Sequence, residues 1–505
     1  MIFDLRHRQY ATAKATKRAS EVGLRKTLGA HRGALVSQFL GEAMVIVMIA
    51  IMLSIVLVQL MLPGFNHLTG KIITLSQDNL YFIVPALASI TILTGLIAGS
   101  YPAFYLSSFQ PAKVLKGKSI LQSSNSLLRK SLVVFQFVIA ITLVCGMIII
   151  DRQLRFMQES DLGFNADHKI ILPLRTGTAQ DNYTVMRNEL GKLSGVNGIS
   201  ATSYLPGKPI FTDFFLYKSG GSVETGERMR NNWVEPNYLD LLGIKVIAGS
   251  NLPQGRDSLS EFKVVINEKA ARQFGFTPAT AVGEFLYSEW QGQRFTFEVI
   301  GVMEDYHQVS LKEDIYPLLF RVPEVPNHDY LIVDAKPDDF TATIADLKKT
   351  WDAINPDTPF EYSFLDDDVK KQYDEDKKIS SVISSFTVIA MIISCLGLFG
   401  LSTFMAERRF KEIGVRKVMG ASVQQIVGLM SGEFVRLVLI AFVISVPLAW
   451  YTITSWLENF AYKTPLDLTV FLLAGAGALI IALVTISFES LRAASTNPVN
   501  ALRNE

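Results

Sequence analysis

Six histidines, His7, His31, His67, His168, His307 and His328, could move protons or bind a metal near neutral pH, but they are scattered. None forms the His-Glu-x-x-His spacing that sets two imidazoles on one helical face. His307 stands beside Asp305 and Tyr306 after the apolar run Val299-Ile300-Gly301-Val302, which reads as a strand entering a turn. A His–Asp neighbour pair without a nucleophile or metal set does not make an active site. Gly117-Lys118-Ser119 ends like a phosphate loop, but position 112 is Ala where that loop needs Gly, and an apolar span precedes it. Cys145 and Cys395 lie in separate apolar runs, which excludes a thiolate cluster and leaves the polar middle of the chain without a disulfide. What remains is a repeated charge pattern. Glu21, Gly23, Arg25, Lys26 and Gly29 recur in order as Glu412, Gly414, Arg416, Lys417 and Gly420.

Each copy reads as a short amphipathic helix. Its apolar positions (Val22, Leu24, Leu28; Ile413, Val415, Met419) suit a bilayer surface or a protein groove, and the Glu and Arg-Lys positions face water or a partner. Gly-Ala at the end suits a helix stop. Retention of both the acidic and the basic positions in two copies favours docking over simple anchorage.

Such helices need something to carry them. Hydrocarbon about 30 Å thick is crossed by about 20 apolar residues in helix. Six stretches qualify, at residues 39–62, 80–106, 131–150, 379–404, 426–457 and 468–488. The hydrophobic fraction of 49% and mean hydropathy of +0.27 exceed those of an ordinary soluble protein, while 19% charged residues leave room for a polar domain. A net charge of +1 offers no basic surface for nucleic acid. The first thirty residues lack the apolar core of a signal peptide, so insertion is expected to rely on the internal spans.

Lysine and arginine set the orientation. They gather before the first span (Lys14, Lys17, Arg18, Arg25, Lys26, Arg32) and between the second and third (Lys113, Lys116, Lys118, Arg129, Lys130). They gather again between the fourth and fifth (Arg408, Arg409, Lys411, Arg416, Lys417) and after the sixth (Arg492, Arg503). With six spans these segments share one side, expected to be the cytoplasm, with both termini. Residues 152–378 then lie outside the cell membrane. That segment mixes short apolar runs, turns and helical patterns near 184–193 and 341–354, an α+β signature. Charged helix ends at 151–160 and 366–378 read as stalks.

The expected fold class is an integral membrane α-helical protein, with about six transmembrane helices in two related blocks and one α+β extracytoplasmic domain. Residues 1–36 form a cytoplasmic segment with the first motif copy, 37–107 a first membrane block, and 108–130 a cytoplasmic linker. Residues 131–151 form a span, 152–378 the outer domain, 379–490 the second block with its motif at 412–421, and 491–505 a cytoplasmic tail. The two blocks match beyond the motif. Gly41-Glu42 pairs with Gly432-Glu433, two spans follow, and a proline-led tail closes each: Pro111-Ala112-Lys113-Val114-Leu115-Lys116 and Pro498-Val499-Asn500-Ala501-Leu502-Arg503. Arg436, a turn beyond Glu433, reads as that glutamate's partner. No chain of ionisable residues crosses the spans, against a proton-coupled carrier.

The repeated motif before paired spans resembles the coupling helix of FtsX/MacB-type ABC transporter permeases, and the two tails look like that family's ending. Val234-Glu235-Pro236-Asn237-Tyr238-Leu239, Val264-Val265-Ile266-Asn267-Glu268, Val299 to His307, Ser310-Leu311-Lys312-Glu313 and Pro317-Leu318 are similar to the MacB-like periplasmic core. The resemblance implies mechanotransmission. A separate ABC ATPase binds ATP and Mg in the cytoplasm, and this chain carries no catalytic residue, cofactor or metal of its own. The ten motif residues named above then touch the ATPase, and motion passes through the stalks to the outer domain for export, extrusion, or lipoprotein or peptide handling. Membrane lipid, a periplasmic adaptor or envelope protein, and a homodimer are further partners the family admits; nucleic acid is not. The chain departs from the two-unit pattern, since an earlier span, a first outer domain and a following span have no counterpart before Met1. A shortened first unit, natural or by fragmentation, is the expectation. The rival readings are a non-transporting cell-envelope regulator and a membrane sensor with an extracytoplasmic ligand domain.

Overall fold

A helix rises about 1.5 Å per residue, so membrane-spanning elements declare themselves by length. The computed structural model describes residues 31–74, 80–107, 124–254, 261–326, 328–337 and 340–495, and among them six helices are long and apolar enough to cross a bilayer. Helix α1 (Arg32–Thr69) and helix α2 (Leu80–Ser107) pack together through Gly95 and Gly99, four residues apart on α2. A Cβ on Gly99 would stand 2.9 Å from the Ala43 Cβ, so only glycine lets the helices meet there. Helix α3 (Ser124–Glu159) has 36 residues, about 54 Å of helix, far more than hydrocarbon requires. Its surplus runs into a second compact unit, made of Arg152–Lys377 together with Leu457–Thr464.

That outer unit is α+β. Its strands are β1 (Lys169–Pro173), β2 (Val196–Thr202), β3 (Asp213–Lys218), β4 (Glu227–Trp233), β5 (Val246–Gly249), β6 (Glu261–Asn267), β7 (Phe285–Trp290), β8 (Gln293–Met303), β9 (Leu318–Arg321), β10 (Tyr330–Ala335) and β11 (Ser363–Phe364). Between them lie helices α4 (Gly177–Asp181), α5 (Tyr183–Leu190), α6 (Tyr238–Leu242), α7 (Glu268–Gln273), α8 (Pro278–Ala281), α9 (Phe340–Ile354) and α10 (Leu365–Lys371).

The smaller sheet, in order β11-β1-β10-β2, is antiparallel throughout. Alternation along β1 sends Ile170 and Leu172 toward α5 and α9, where Met186, Leu347 and Trp351 are fully buried, and sends Ile171 to the other face. Pairing of β1 with β10 runs its full length, but pairing with β11 covers only Ile170 and Ile171. Proline explains the difference. Leu174 N–H points to Asp329 on the β10 side, so by alternation Pro173 faces the β11 side, where it has no N–H to donate.

The larger sheet, β5-β8-β6-β9-β4-β3-β7, closes on itself because β8 also pairs with β7. The first half of β8 holds β7 and its end holds β5, with an irregularity near Gly301. Backbones approach so closely here that a Cβ on Gly249 (φ 74°) would lie 2.2 Å from the Ile300 carbonyl oxygen. Leu216, Met229, Val264, Leu286, Phe297, Val299 and Leu319 fill one face of this closed sheet. Its other face shares a core with the small sheet: Val265 and Phe320 meet Ile171, Ile332 and Tyr238. One continuous core therefore unites the outer domain.

The chain then returns through α11 (Asp374–Arg408), turns into the nine-residue α12 (Phe410–Val418), and ends in α13 (Val423–Leu457) and α14 (Leu468–Ser495). Helices α3 and α11 run antiparallel and touch through small polar groups, as membrane helices do. Ser394 Oγ donates to the Gln136 carbonyl at 3.2 Å, Thr387 Oγ1 donates to the Leu143 carbonyl at 3.5 Å, and Gly397 leaves room for the Gln136 side chain.

Candidate functional site

The second motif copy occupies α12, and each end of that helix has a physical cause. Glu412 in its first turn and Arg416 and Lys417 in its last complement the helix dipole, and Glu412 pairs with Arg416 at 2.8 Å. Gly420, at φ 92°, stops it in a Schellman turn: Ala421 N–H donates to the Arg416 carbonyl and Gly420 N–H to the Lys417 carbonyl. Ser422 and Gln425 then exchange hydrogen bonds and open α13. Helix, stop and restart fit within the motif.

The two faces of α12 differ. Ile413, 6% exposed, roots the helix against Ala406, Ile426 and Met430, and Gly414 is buried beside it. Val415, Val418 and Met419 point outward, Met419 being 82% exposed. The expected apolar face is thus divided, with Ile413 committed to the protein's own core. Glu412 and Arg416 are exposed and Lys417 is half-buried. Glu21, Gly23, Arg25, Lys26 and Gly29 lie outside the described residues.

Glu433 does not take Arg436 as its partner. Its Oε1 accepts from Arg409 at 2.5 Å, and its Oε2 lies 3.8 Å from the Lys130 ammonium. Neighbour spacing along one helix cannot reveal partners on two other segments, which is why Arg436 was expected. Next to Lys130, the Arg129 guanidinium sits 4.0 Å from the Phe404 ring centre.

The outer unit takes in Leu457–Thr464, the last residue of α13 and part of the connector to α14. Ala461 N–H donates to the Lys312 carbonyl and Tyr462 N–H to the Leu311 carbonyl. Gln153, fully buried on the extension of α3, donates from Nε2 to the Tyr462 carbonyl and accepts from Thr464 N–H, each at 2.8 Å. Lys312 Nζ reaches Asp376 on α11 at 2.7 Å. Four segments distant in sequence are joined here. A signal for Gln153 was available: it stands on the buried stripe Ile149–Gln153–Met157, where an apolar residue is the norm.

His307 follows β8 as a loop residue and meets the Tyr462 ring edge-on at 4.7 Å. Burial lowers its pKa, partly offset by Asp305 and Asp314. Asp305 is no catalytic partner, since it accepts from Lys269 N–H and pairs with Arg272. Where Pro173 ends the β1–β11 ladder, a cavity of about 390 Å³ opens, bordered by Arg175, Lys208, Asp329, Glu361 and Tyr362. Burial raises the Asp329 pKa. Both charge signs and an aromatic ring meet in this wall.

Comparison with known proteins matches two families along the chain. The FtsX-like permease C-terminal family matches residues 11–111 and again 384–498, and the MacB-like periplasmic core domain matches 132–350. The macrolide export ATP-binding/permease protein MacB of Bdellovibrio bacteriovorus is 34% identical over 101 residues, 20% of this chain and 15% of that one. MacB of Campylobacter jejuni is 24% identical over 221 residues, 41% of this chain and 34% of that one. The matches thus span at most about a third of these relatives. Among solved structures, the periplasmic region of MacB from Actinobacillus actinomycetemcomitans is 14% identical, covering 41% of this chain and 94% of its own, with a TM-score of 0.29. The extracellular domain of the ABC-type transporter YknZ from Gram-positive bacteria is also 14% identical, covering 39% and 98%, with a TM-score of 0.26.

Proposed function

Because the chain belongs to the FtsX/MacB-type permeases, the membrane components of ABC transporters, we propose that it couples ATP hydrolysis on a separate cytoplasmic ATPase to motion of its own extracytoplasmic domain. ATP and Mg bind that partner. The chain contributes two copies of the coupling motif, at residues 21–30 and 412–421, and both termini lie in the cytoplasm. Motion of α12 enters α11 through Arg409, and α11 continues into the outer unit, where cargo is exported, extruded or handed on as lipoprotein or peptide.

One observation carries this reading: α12 is rooted by Ile413 and bare at Val415, Val418 and Met419. A short helix presenting an apolar edge beside charges suits a protein groove. A lipid surface is the other destination: Glu412 is neutralised by Arg416, and the positive charge at Lys417 also suits anionic headgroups, so the experiment must separate the two.

The experiment is a photo-crosslinking residue at position 419 in native membranes, followed by identification of the products. Capture of an ABC ATPase supports the reading. Crosslinks to lipid alone sink it.

A further inference from the structure

Glu433 belongs to α13, yet its carboxylate serves two other segments of the membrane unit. Arg409 occupies the elbow between α11 and α12 and is the N-cap residue of α12, without a side-chain cap of its own. Its guanidinium is spent on Glu433 instead. Lys130, near the start of α3, approaches the second carboxylate oxygen. All three side chains are about one-third exposed. Charges so placed are screened less than fully solvated ones, and loss of one partner leaves another uncompensated. The first half of the chain repeats the arrangement in sequence: Arg18 precedes Glu42 by the 24 residues that separate Arg409 from Glu433.

We infer that Arg409 and Glu433, assisted by Lys130, form a clasp that sets the position of the second coupling helix and delivers its movement to α3 and α13 together. The inference rests on the coupling role proposed above. Glu433 is a positioning residue: it acts through the Arg409 elbow and needs no contact with nucleotide or cargo. Released from Glu433, the elbow no longer fixes α12, and Ile413 lifts from its seat against Ala406, Ile426 and Met430.

Ile413 supplies the readout. In the full chain carrying Cys145→Ser and Cys395→Ser, Ile413→Cys is titrated in open membrane fragments with a charged maleimide, and Met419→Cys is the exposed control. Adding Glu433→Gln is expected to speed modification at 413 by about tenfold or more while leaving 419 within about twofold, since labelling of a buried thiol follows local opening. The reciprocal exchange Arg409→Glu with Glu433→Arg, made together with Lys130→Glu so that no like charge faces the new arginine, is expected to restore slow labelling, which a purely steric role for Glu433 would not do. An unchanged rate at 413 in Glu433→Gln overturns the clasp. So does failure of the exchanged pair to slow labelling while the 419 control stays normal. No ATPase takes part in this measurement, so a negative result removes the clasp alone, and the crosslinking experiment separately decides the coupling role.

Discussion

Gln153 grips the backbone at Tyr462 across 309 residues of chain, donating to its carbonyl at 2.8 Å while accepting from Thr464 N–H two residues on. Both ends of one buried amide are used, so the connector between α13 and α14 is read by its main chain rather than by its side chains.

Replacing Gln153 with alanine leaves that carbonyl and N–H without their partner, at a cost of about 2–3 kcal/mol of local stability. Hydrogen exchange of residues 457–464 is expected to accelerate by about 30-fold to 150-fold, with the small sheet unaffected. Unchanged exchange would show that the pairing with Leu311 and Lys312 suffices.

Glycine substitutions separate clash from backbone strain. Gly249→Ala meets the Ile300 carbonyl at 2.2 Å and keeps a φ of 74°, so about 2–4 kcal/mol of destabilisation is expected in denaturant unfolding. Gly292→Ala has a similar φ of 78° but open space around it, so about 1 kcal/mol is expected. Equal losses would mean that the crowding at β8 is unimportant.

His307 gives the outer domain an acid-side weakness. Its folded pKa is lowered from 6.5, so the unfolded chain takes up the proton first as pH falls. Stability is complete above that value and declines as pH drops from 6.5 through the folded pKa. His307→Gln is expected to flatten this decline. Hydrogen exchange around residues 305–312 at pH 7.5 and 5.5 measures it, and an unaltered pH dependence would assign the weakness elsewhere.

Charge and bulk on α12 test the proposed docking surface. Met419→Glu is expected to weaken ATPase capture by about tenfold without altering the fold, because this side chain touches little of its own protein. Glu412→Arg breaks the pair with Arg416, worth only about 0.3–0.5 kcal/mol within a helix, so lost capture would report on docking rather than unfolding. Retained capture in both variants would place the ATPase contact elsewhere.

Sequence periodicity and length were enough for the six long helices, the α+β outer segment and the helical stretches that became α5 and α9, because each depends on near neighbours. The pairing of β3 with β7 that closes the larger sheet, Tyr217 against Tyr287, and the merging of Leu457–Thr464 with the outer unit were not legible. Both depend on backbone groups meeting across long stretches of chain, and nothing in a short polar connector advertises that its amides are spoken for. The same limit explains Glu433. Helical spacing offered Arg436, while Arg409 and Lys130 come from elements brought near only by packing. In the motif, the residue types indicated an amphipathic helix, but the inward turn of Ile413 and the outward turn of Val415 and Met419 needed the neighbouring helices.

Pro173 has an effect beyond shaping the cavity. A sheet margin with a free row of donors and acceptors is a template on which foreign strands can grow, and many copies crowded on one membrane would be exposed to that hazard. Removing a single N–H where β1 leaves β11 breaks the template. A molecule that settles against this margin must be recognised by the side chains of Arg175, Asp329, Glu361 and Tyr362, so its selection can be retuned by point substitution without inviting fibrous self-association.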